Sequence, residues 1–357
     1  MHTYTKFILS NFMRSLVFVL SIILSLVFIL NLLNELEFFR NKNLSVNYML
    51  YLSFLNSPSL IFEILPFIFL ISTQFFFVKL FKDNQIEIFK YSGLKNINII
   101  YIISLFTIFL GIISISFFYN FTSNLKNFYL NLKSNYTTDD KYLAVITKNG
   151  LWIKDKIDDK ILIINSLEMK DNFFISTIIT EFDKNYEIIR NIKSEKINIE
   201  KNEWVVYEAK IFKKNTTSYE ESMIIRSNFN YEKIQNLFSN LSSLSIFELY
   251  QLKKNYKSLG YSTTEIEIYL YKLFSYPFYL LLMVIFASVV MLNFKNLESN
   301  SFKISLGLFL SVIIYYINNI FYVLGNSEKL SPLVAIFVPL LFLAISNLIM
   351  LIKINEK

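Results

Sequence analysis

Six apolar runs set the layout of the chain: Phe7 to Leu33, Leu50 to Val78, Ile97 to Tyr119, Leu270 to Leu292, Phe302 to Leu324 and Leu333 to Ile352. A helix needs about 20 apolar residues to cross the hydrocarbon core of a bilayer. Each run reaches that length, so the pattern predicts six transmembrane helices. The first run is nearly all Phe, Leu, Ile, Val and Ser, broken by Asn11, Arg14 and Asn31. A signal peptide would have a shorter apolar region closed by small residues of the A-x-A kind. Here the run ends Asn34-Glu-Leu-Glu37 and no Ala precedes Ala144, which predicts a retained first helix. The second run contains Pro58 and Pro66 with Glu63 between them. Proline is tolerated in a membrane helix where neighbours satisfy the freed carbonyls, and a bend near the start of this span is expected.

The pattern changes at Asn120. Up to Tyr231 the chain is polar, with short alternating stretches at Tyr142–Thr147, Lys160–Glu168, Phe173–Phe182, Trp204–Phe212 and Met223–Arg226. Alternation between turn residues predicts antiparallel strands in a sandwich or roll, and about 110 residues suffice for one small all-β domain. From Leu244 to Lys257 the spacing becomes helical. Ser245 with Glu248, and Ser262 with Glu265, match the capping box, and Gly260 suits the end of the intervening helix. The expected fold is therefore an α-helical polytopic membrane protein with an inserted all-β domain: spans one to three over residues 1–119, the β-domain over 120–243, and connecting helices with spans four to six over 244–357.

Composition fits this class. Of 357 residues, 54% are apolar, 17% aromatic and only 18% charged, too apolar for one soluble domain. No Cys is present, and the one His is His2, which removes disulfides, thiolate metal sites and His-based catalysis from consideration. Residues 120–267 are nearly neutral, at +1, and the membrane part carries +6 of the +7 net charge. That excess reads as an orientation signal rather than a nucleic-acid footprint. With the N-terminus inside, Lys6, Arg14, Lys79, Lys82, Lys90, Lys95, Lys295, Lys303, Lys353 and Lys357 lie on the inner side, and only Arg40, Lys42 and Lys329 in short outer loops. Both termini and the Lys79–Gly93 loop are then cytoplasmic and the β-domain is outside.

Candidate chemistry is sparse. No two of the six Gly residues stand five apart, so the chain has no P-loop and is not its own ATPase. Asp139-Asp140 and Asp158-Asp159 sit among Lys in predicted turns and read as solvated loop charge. Intramembrane polar residues cost more and ask for a role. Glu63 and Lys272, near the outer ends of their helices, either snorkel to headgroups or serve a lipid path. Asn31, Asn318 and Asn319 suit interhelical hydrogen bonds better than substrate contacts, and Arg40 and Lys42 can meet anionic headgroups. In the loop, Gln85, Ile86, Ile88 and Phe89 form an apolar stripe beside Lys82, Glu87 and Lys90, which suits docking on a soluble partner better than a bare turn.

Several of these stretches resemble the LptF/LptG permeases of lipopolysaccharide transport, LptG most closely. They are Asn34-Glu-Leu-Glu37 after the first span; Ser57-Pro58 with Phe62-Glu63-Ile64-Leu65-Pro66; Gln85 to Gly93; Gly150-Leu-Trp-Ile-Lys-Asp155; and Gly325 to Pro339. The resemblance covers nearly the whole chain, and it departs from the family at Gln85, where the family has Glu, with Glu87 the nearest acid. Basic residues around the outer end of the first helix are also thinned, with Asn31, Asn34 and Glu35 in their place. It implies a jellyroll-like periplasmic domain and an inner-membrane subunit that extracts lipopolysaccharide from the outer leaflet. The implied partners are an LptF-like permease, an LptB-like ATPase dimer gripping Lys82, Gln85, Ile86, Glu87, Phe89, Lys90 and Gly93, and a bridge of LptC- and LptA-like proteins. Asn31, Asn34, Arg40, Lys42, Glu63, Lys272, Asn318 and Asn319 are then candidate lipid or gate residues, with spans one and five at the gate. ATP would be used by the partner, and no cofactor or metal is expected in this chain. The alternatives are the sibling LptF role, a membrane enzyme on lipid-linked sugars, for which only the isolated Glu63 and Glu328 are on offer, and a non-transport scaffold.

Overall fold

The computed structural model describes residues 3–40, 42, 44–134, 136, 143–147, 150–157, 160–170, 172–213, 216–231, 234, 241–258, 262–293 and 300–355. Gly260, Asp139, Asp140, Asp158, Asp159, Lys295 and Lys357 lie outside the described residues. Helices α1 (Thr3–Phe38), α2 (Val46–Lys82), α3 (Gln85–Tyr91) and α4 (Asn96–Ile113) come first. A π-helical turn, Ser114–Tyr119, joins α4 to α5 (Asn120–Ser134). Strands β1 (Leu143–Thr147), β2 (Gly150–Ile157), β3 (Lys160–Lys170), β4 (Phe173–Phe182), β5 (Ile188–Asn198), β6 (Glu203–Lys213) and β7 (Thr216–Arg226) follow. The chain closes with α6 (Ile246–Ser258), α7 (Thr264–Asn293), α8 (Asn300–Asn326) and α9 (Pro332–Asn355).

Among the described residues, six helical stretches are long and apolar enough to cross a membrane: α1, α2, α4 through α5, α7, α8 and α9. In lipid every backbone polar group must find its partner within the protein, which favours unbroken helices. The serines and threonines scattered through these runs fit that demand. Ser15, Ser53, Ser57, Ser72, Thr73, Thr107 and Ser288 each turn their hydroxyl back onto the carbonyl four residues earlier. Asn120 does not end the third helix. Despite the change in composition there, the helix continues through the π turn to Ser134, because the new polar residues recur at helical rather than strand spacing.

The chain divides into two compact units, Met1–Tyr129 with Glu267–Lys357, and Leu130–Ile266. In the first, α2 and α7 are central: their apolar windows are 72% and 67% buried, against 22% for α1 and 11% for α8. Leu70, Met283, Phe286, Ala287, Val290 and Leu343 form a core there.

In the second unit the seven strands make one antiparallel sheet in chain order, β1 to β7. The sheet is drawn round by Asp155 of β2, which is fully buried. Its carboxylate accepts hydrogen bonds from Ser227 Oγ (2.8 Å), Asn228 N (2.9 Å) and Asn228 Nδ2 (2.8 Å), just past the end of β7. The inner face holds Leu151, Ile153, Ile164, Phe174, Ile179, Trp204, Val206 and Ile211. Trp204, 0% exposed, donates its indole N–H to Phe229 O at 2.9 Å, as a buried tryptophan requires. Strands β2 and β5 were not among the predicted stretches. In β5 only Ile192, Ser194 and Ile197 are buried, between charged neighbours, so its apolar signal is thin.

The capping box at Ser245 forms as expected: Ser245 N donates to Glu248 Oε2 at 2.7 Å, and Glu248 N to Ser245 Oγ at 3.3 Å. At Ser262 the pairing differs. The hydroxyl takes the Thr264 N–H at 3.4 Å, and α7 begins at Thr264.

Candidate functional site

The segment between α2 and α4 is shaped by two left-handed residues. Asn84 (φ 52°) turns the chain from α2 into α3, and Gly93 (φ 80°) turns it out again. At the second turn Leu94 N donates to Phe89 O (2.9 Å) and Gly93 N to Lys90 O (3.0 Å), the paired bonds of a Schellman ending. A Cβ at Gly93 would meet nothing within 4 Å, so the glycine is needed for its backbone conformation alone.

The expected single stripe on α3 is instead two faces. Ile86 is 2% exposed, and Phe89 packs edge-on against Phe7 of α1, ring centroids 6.1 Å apart. Ile88 and Tyr91 are 58% and 90% exposed. At about 100° per residue, positions 86 and 89 share a side and 88 and 91 share the other. Lys82, Glu87 and Lys90 are exposed. Gln85 is half-buried; its Nε2 donates to Asp83 Oδ2 at 3.3 Å, and its Oε1 is buried with no partner among the described residues. Glu87 is therefore the acid that α3 presents outward.

Helix α1 is fastened to its neighbours at both ends. Near α3, Lys79 Nζ donates to Asn11 Oδ1 at 3.0 Å. At the far end Asn31 is 4% exposed; its Nδ2 donates to Ser53 O at 3.0 Å, and its Oδ1 accepts from Asn56 Nδ2 at 3.1 Å. One turn on, Glu35, 1% exposed, accepts the Tyr129 hydroxyl of α5 at 2.6 Å. Phe12 packs against Phe69 and Phe76, and Phe18 against Phe75, between these ends. Asn31 is thus interhelical, and the exposed face of α1 carries Asn34 with Leu30 and Leu33.

Of the other lipid or gate candidates, Glu63 and Lys272 lie within electrostatic range of each other and of Lys126. Lys126 Nζ lies 3.8 Å from Glu63 Oε1. Lys272 is exposed, with Nζ 5.7 Å from the centre of the Tyr322 ring. Asn318 is half-buried and hydrogen-bonded to Tyr279, and Asn319 is exposed. Arg40 is exposed, and Lys42 Nζ sits over Phe38 at 5.2 Å and Phe39 at 5.8 Å. Among the described residues, no group of three or more acidic or His side chains could hold a metal ion.

One junction was not anticipated. Gln74 of α2 is fully buried and reaches α8, where its Nε2 faces Lys303 O at 3.3 Å and Ile304 O at 3.5 Å. It fits because position 307 is glycine: a Cβ there would stand 1.9 Å from that Nε2. Lys303, counted among the inner-side charges, is 4% exposed, with Nζ 5.1 Å from the Phe81 ring centre. A lone amide in a long apolar run was the available signal, though nothing local names its partner.

Residues 6–353 match the family model described as lipopolysaccharide export system permease LptF/LptG. The chain belongs to the LptF/LptG permease family. No curated protein matches it individually. Six apolar spans with an inserted antiparallel sheet agree with an LptF/LptG permease, and such a chain is an integral inner-membrane protein of lipopolysaccharide export. Within the matched residues, Asp155 of the Gly150–Asp155 stretch accepts the hydrogen bond from Ser227 Oγ.

Proposed function

We propose that this permease is the LptG-type half of an ATP-driven lipopolysaccharide exporter. It pairs with an LptF-like half and is driven by an LptB-like ATPase dimer. It passes lipid from the outer leaflet of the inner membrane towards LptC- and LptA-like bridge proteins. ATP hydrolysis belongs to the separate ATPase chain. The Lys and Arg distribution supports cytoplasmic termini, a cytoplasmic α3 and a periplasmic β-domain. The LptG motifs support the subunit type.

The observation that carries the coupling role is the division of α3 into an anchored face and a free one. Ile86 and Phe89 hold α3 against the bundle, while Ile88, Tyr91 and Glu87 point away. Large apolar side chains at such exposure suit a protein interface. A push on α3 reaches α1 through Phe89–Phe7 and through Lys79–Asn11. The sparsely buried α1 and α8 then supply apolar faces for the partner half and for acyl chains.

The test is co-purification with an LptB-like ATPase. Ile88→Ala with Tyr91→Ala, and separately Gln85→Ala with Glu87→Ala, should each weaken the complex about tenfold or more. A stable, ATPase-active complex that ignores both pairs of changes would sink the coupling role. Cross-linking identifies the neighbouring half, and an LptG-like neighbour would reassign this chain to the LptF role.

A further inference from the structure

Helix α6 carries two faces of different character. Leu249 is fully buried, and Tyr256 packs against the core of the β-roll. The opposite face holds Phe247 and Tyr250, 71% and 60% exposed, followed by Lys254 and Lys257, both exposed. At about 100° per residue these four fall within one quarter of the helix circumference. The only acid in α6 is Glu248, and its carboxylate is engaged by the Ser245 cap.

An exposed pair of aromatic rings is costly in water, and an adjacent pair of lysines makes the face a poor match for an apolar core. The combination suits a bilayer surface, where aromatic rings sit among headgroups and lysines reach anionic phosphates. Position along the chain agrees. Helix α6 ends at Ser258, and α7, a membrane span, begins at Thr264. Six residue steps reach at most about 20 Å, and the six helical residues before the apolar run at Leu270 add about 9 Å, so α6 is tethered within about 30 Å of where the chain enters the bilayer.

We infer that α6 is an interfacial helix. Phe247 and Tyr250 rest in the headgroup layer and Lys254 and Lys257 bind anionic lipid headgroups, so the β-roll is anchored to the membrane surface through α6. The occupant is lipid, not a protein partner, and the inference does not depend on the transport role.

The chain contains no Cys, which allows a single spin label at Gln251→Cys, an exposed position beside Tyr250. The full chain in nanodiscs is exposed to oxygen, which partitions into lipid, and to a water-soluble nickel chelate. A label at Tyr219→Cys, exposed on β7, serves as the aqueous reference. In discs containing phosphatidylglycerol, the Gln251 label should show a several-fold higher oxygen-to-nickel ratio than the reference. Phe247→Ala with Tyr250→Ala should return it to the reference value. Lys254→Ala with Lys257→Ala should weaken the preference for anionic over zwitterionic discs by about fivefold per lysine. All these changes leave Leu249 and Tyr256 in place, and circular dichroism checks that α6 stays folded. A label as open to nickel as the reference would overturn the inference. A label shielded from both reagents would also overturn it, because it would place protein, not lipid, on this face.

Discussion

The Tyr276 hydroxyl of α7 donates a hydrogen bond to the backbone carbonyl of Phe62 in α2. Phe62 lies four residues before Pro66, whose ring nitrogen has no hydrogen to give, so its carbonyl lacks its helical donor. The two rings also stack, centroids 4.6 Å apart and 14° from parallel. A carbonyl that lipid could not satisfy is thus satisfied by the other central helix. Tyr276→Phe should cost about 1–2 kcal/mol, read as a lower melting temperature of the purified chain in detergent. Pro66→Ala restores the backbone donor, so the double variant should lose less than the sum of the two single changes. Strict additivity would show that the tyrosine is not serving the proline's vacant carbonyl.

The Gln74–Gly307 contact gives a second cycle. Gly307→Ala places a methyl group where the Gln74 amide sits, breaking both bonds to α8 and stranding a buried polar group. We expect a loss of about 2–3 kcal/mol. Adding Gln74→Ala should recover part of it by removing the clash and the stranded amide together. Thermal unfolding of the three variants decides the matter, and a double variant no better than Gly307→Ala alone would refute the contact.

The far end of α1 depends on Asn31 and Glu35. Asn31→Ala removes the bonds to Ser53 and Asn56, and Tyr129→Phe leaves the buried Glu35 carboxylate without that donor. Each should destabilise by about 1–2 kcal/mol. Hydrogen exchange should show faster opening of α1 near residue 31, with the Lys79–Asn11 end unchanged. Uniform loosening of the helix would contradict separate fastenings.

On α3 the two faces should separate stability from binding. Ile86→Ala and Phe89→Ala should destabilise the chain and lower its melting temperature, with Ile86→Ala costing about 2–4 kcal/mol of stability. Ile88→Ala and Tyr91→Ala should leave it nearly unchanged, because their side chains already face outward. Gly93→Ala should cost about 1 kcal/mol through its left-handed backbone alone. Melting curves set beside the ATPase co-purification resolve these effects.

In the β-roll, Glu181 is buried and bridges Lys160 (2.6 Å) and Arg190. Burial alone would raise its carboxyl, but the hydrogen bonds from Lys160 and Arg190 outweigh burial and hold it below its ordinary 4.5. A carboxylate lowered on folding adds stability that is complete above its unfolded value and is lost as pH falls through its folded value. The β4–β5 pairing should therefore loosen in acid below about pH 4.5, as seen by hydrogen exchange. Glu181→Gln should flatten that dependence while weakening the strands at neutral pH. An unchanged acid profile in the variant would exclude Glu181 as its source.

How much of this was legible beforehand depends on how local the cause is. The Schellman glycine Gly93 and the Ser245 capping box follow from residues within a few positions of each other. Strands β3, β4 and β6 alternate plainly and were visible, whereas β5 hides three inward residues among charges and was not. The expected stripe on α3 joins residues that the structure divides between two faces and leaves out Tyr91, because an apolar list does not say which side meets a neighbour. Asn31 makes the interhelical bonds that an amide in an apolar run suits, whereas the positive-inside count that includes Lys303 says nothing of its burial.

The sequence by itself determined the six apolar spans, the inserted β-domain and the absence of a P-loop. These rest on the length of a bilayer crossing, on side-chain periodicity and on residue type, each written along the chain. The tertiary structure alone decided that Tyr276 answers Pro66, that Gln74 fits the notch at Gly307, and that Ile88 and Tyr91 stay free when Ile86 and Phe89 do not. Those outcomes depend on which helices lie side by side. In a membrane, where stray polar groups have no water to turn to, that adjacency determines where each of them finds its partner.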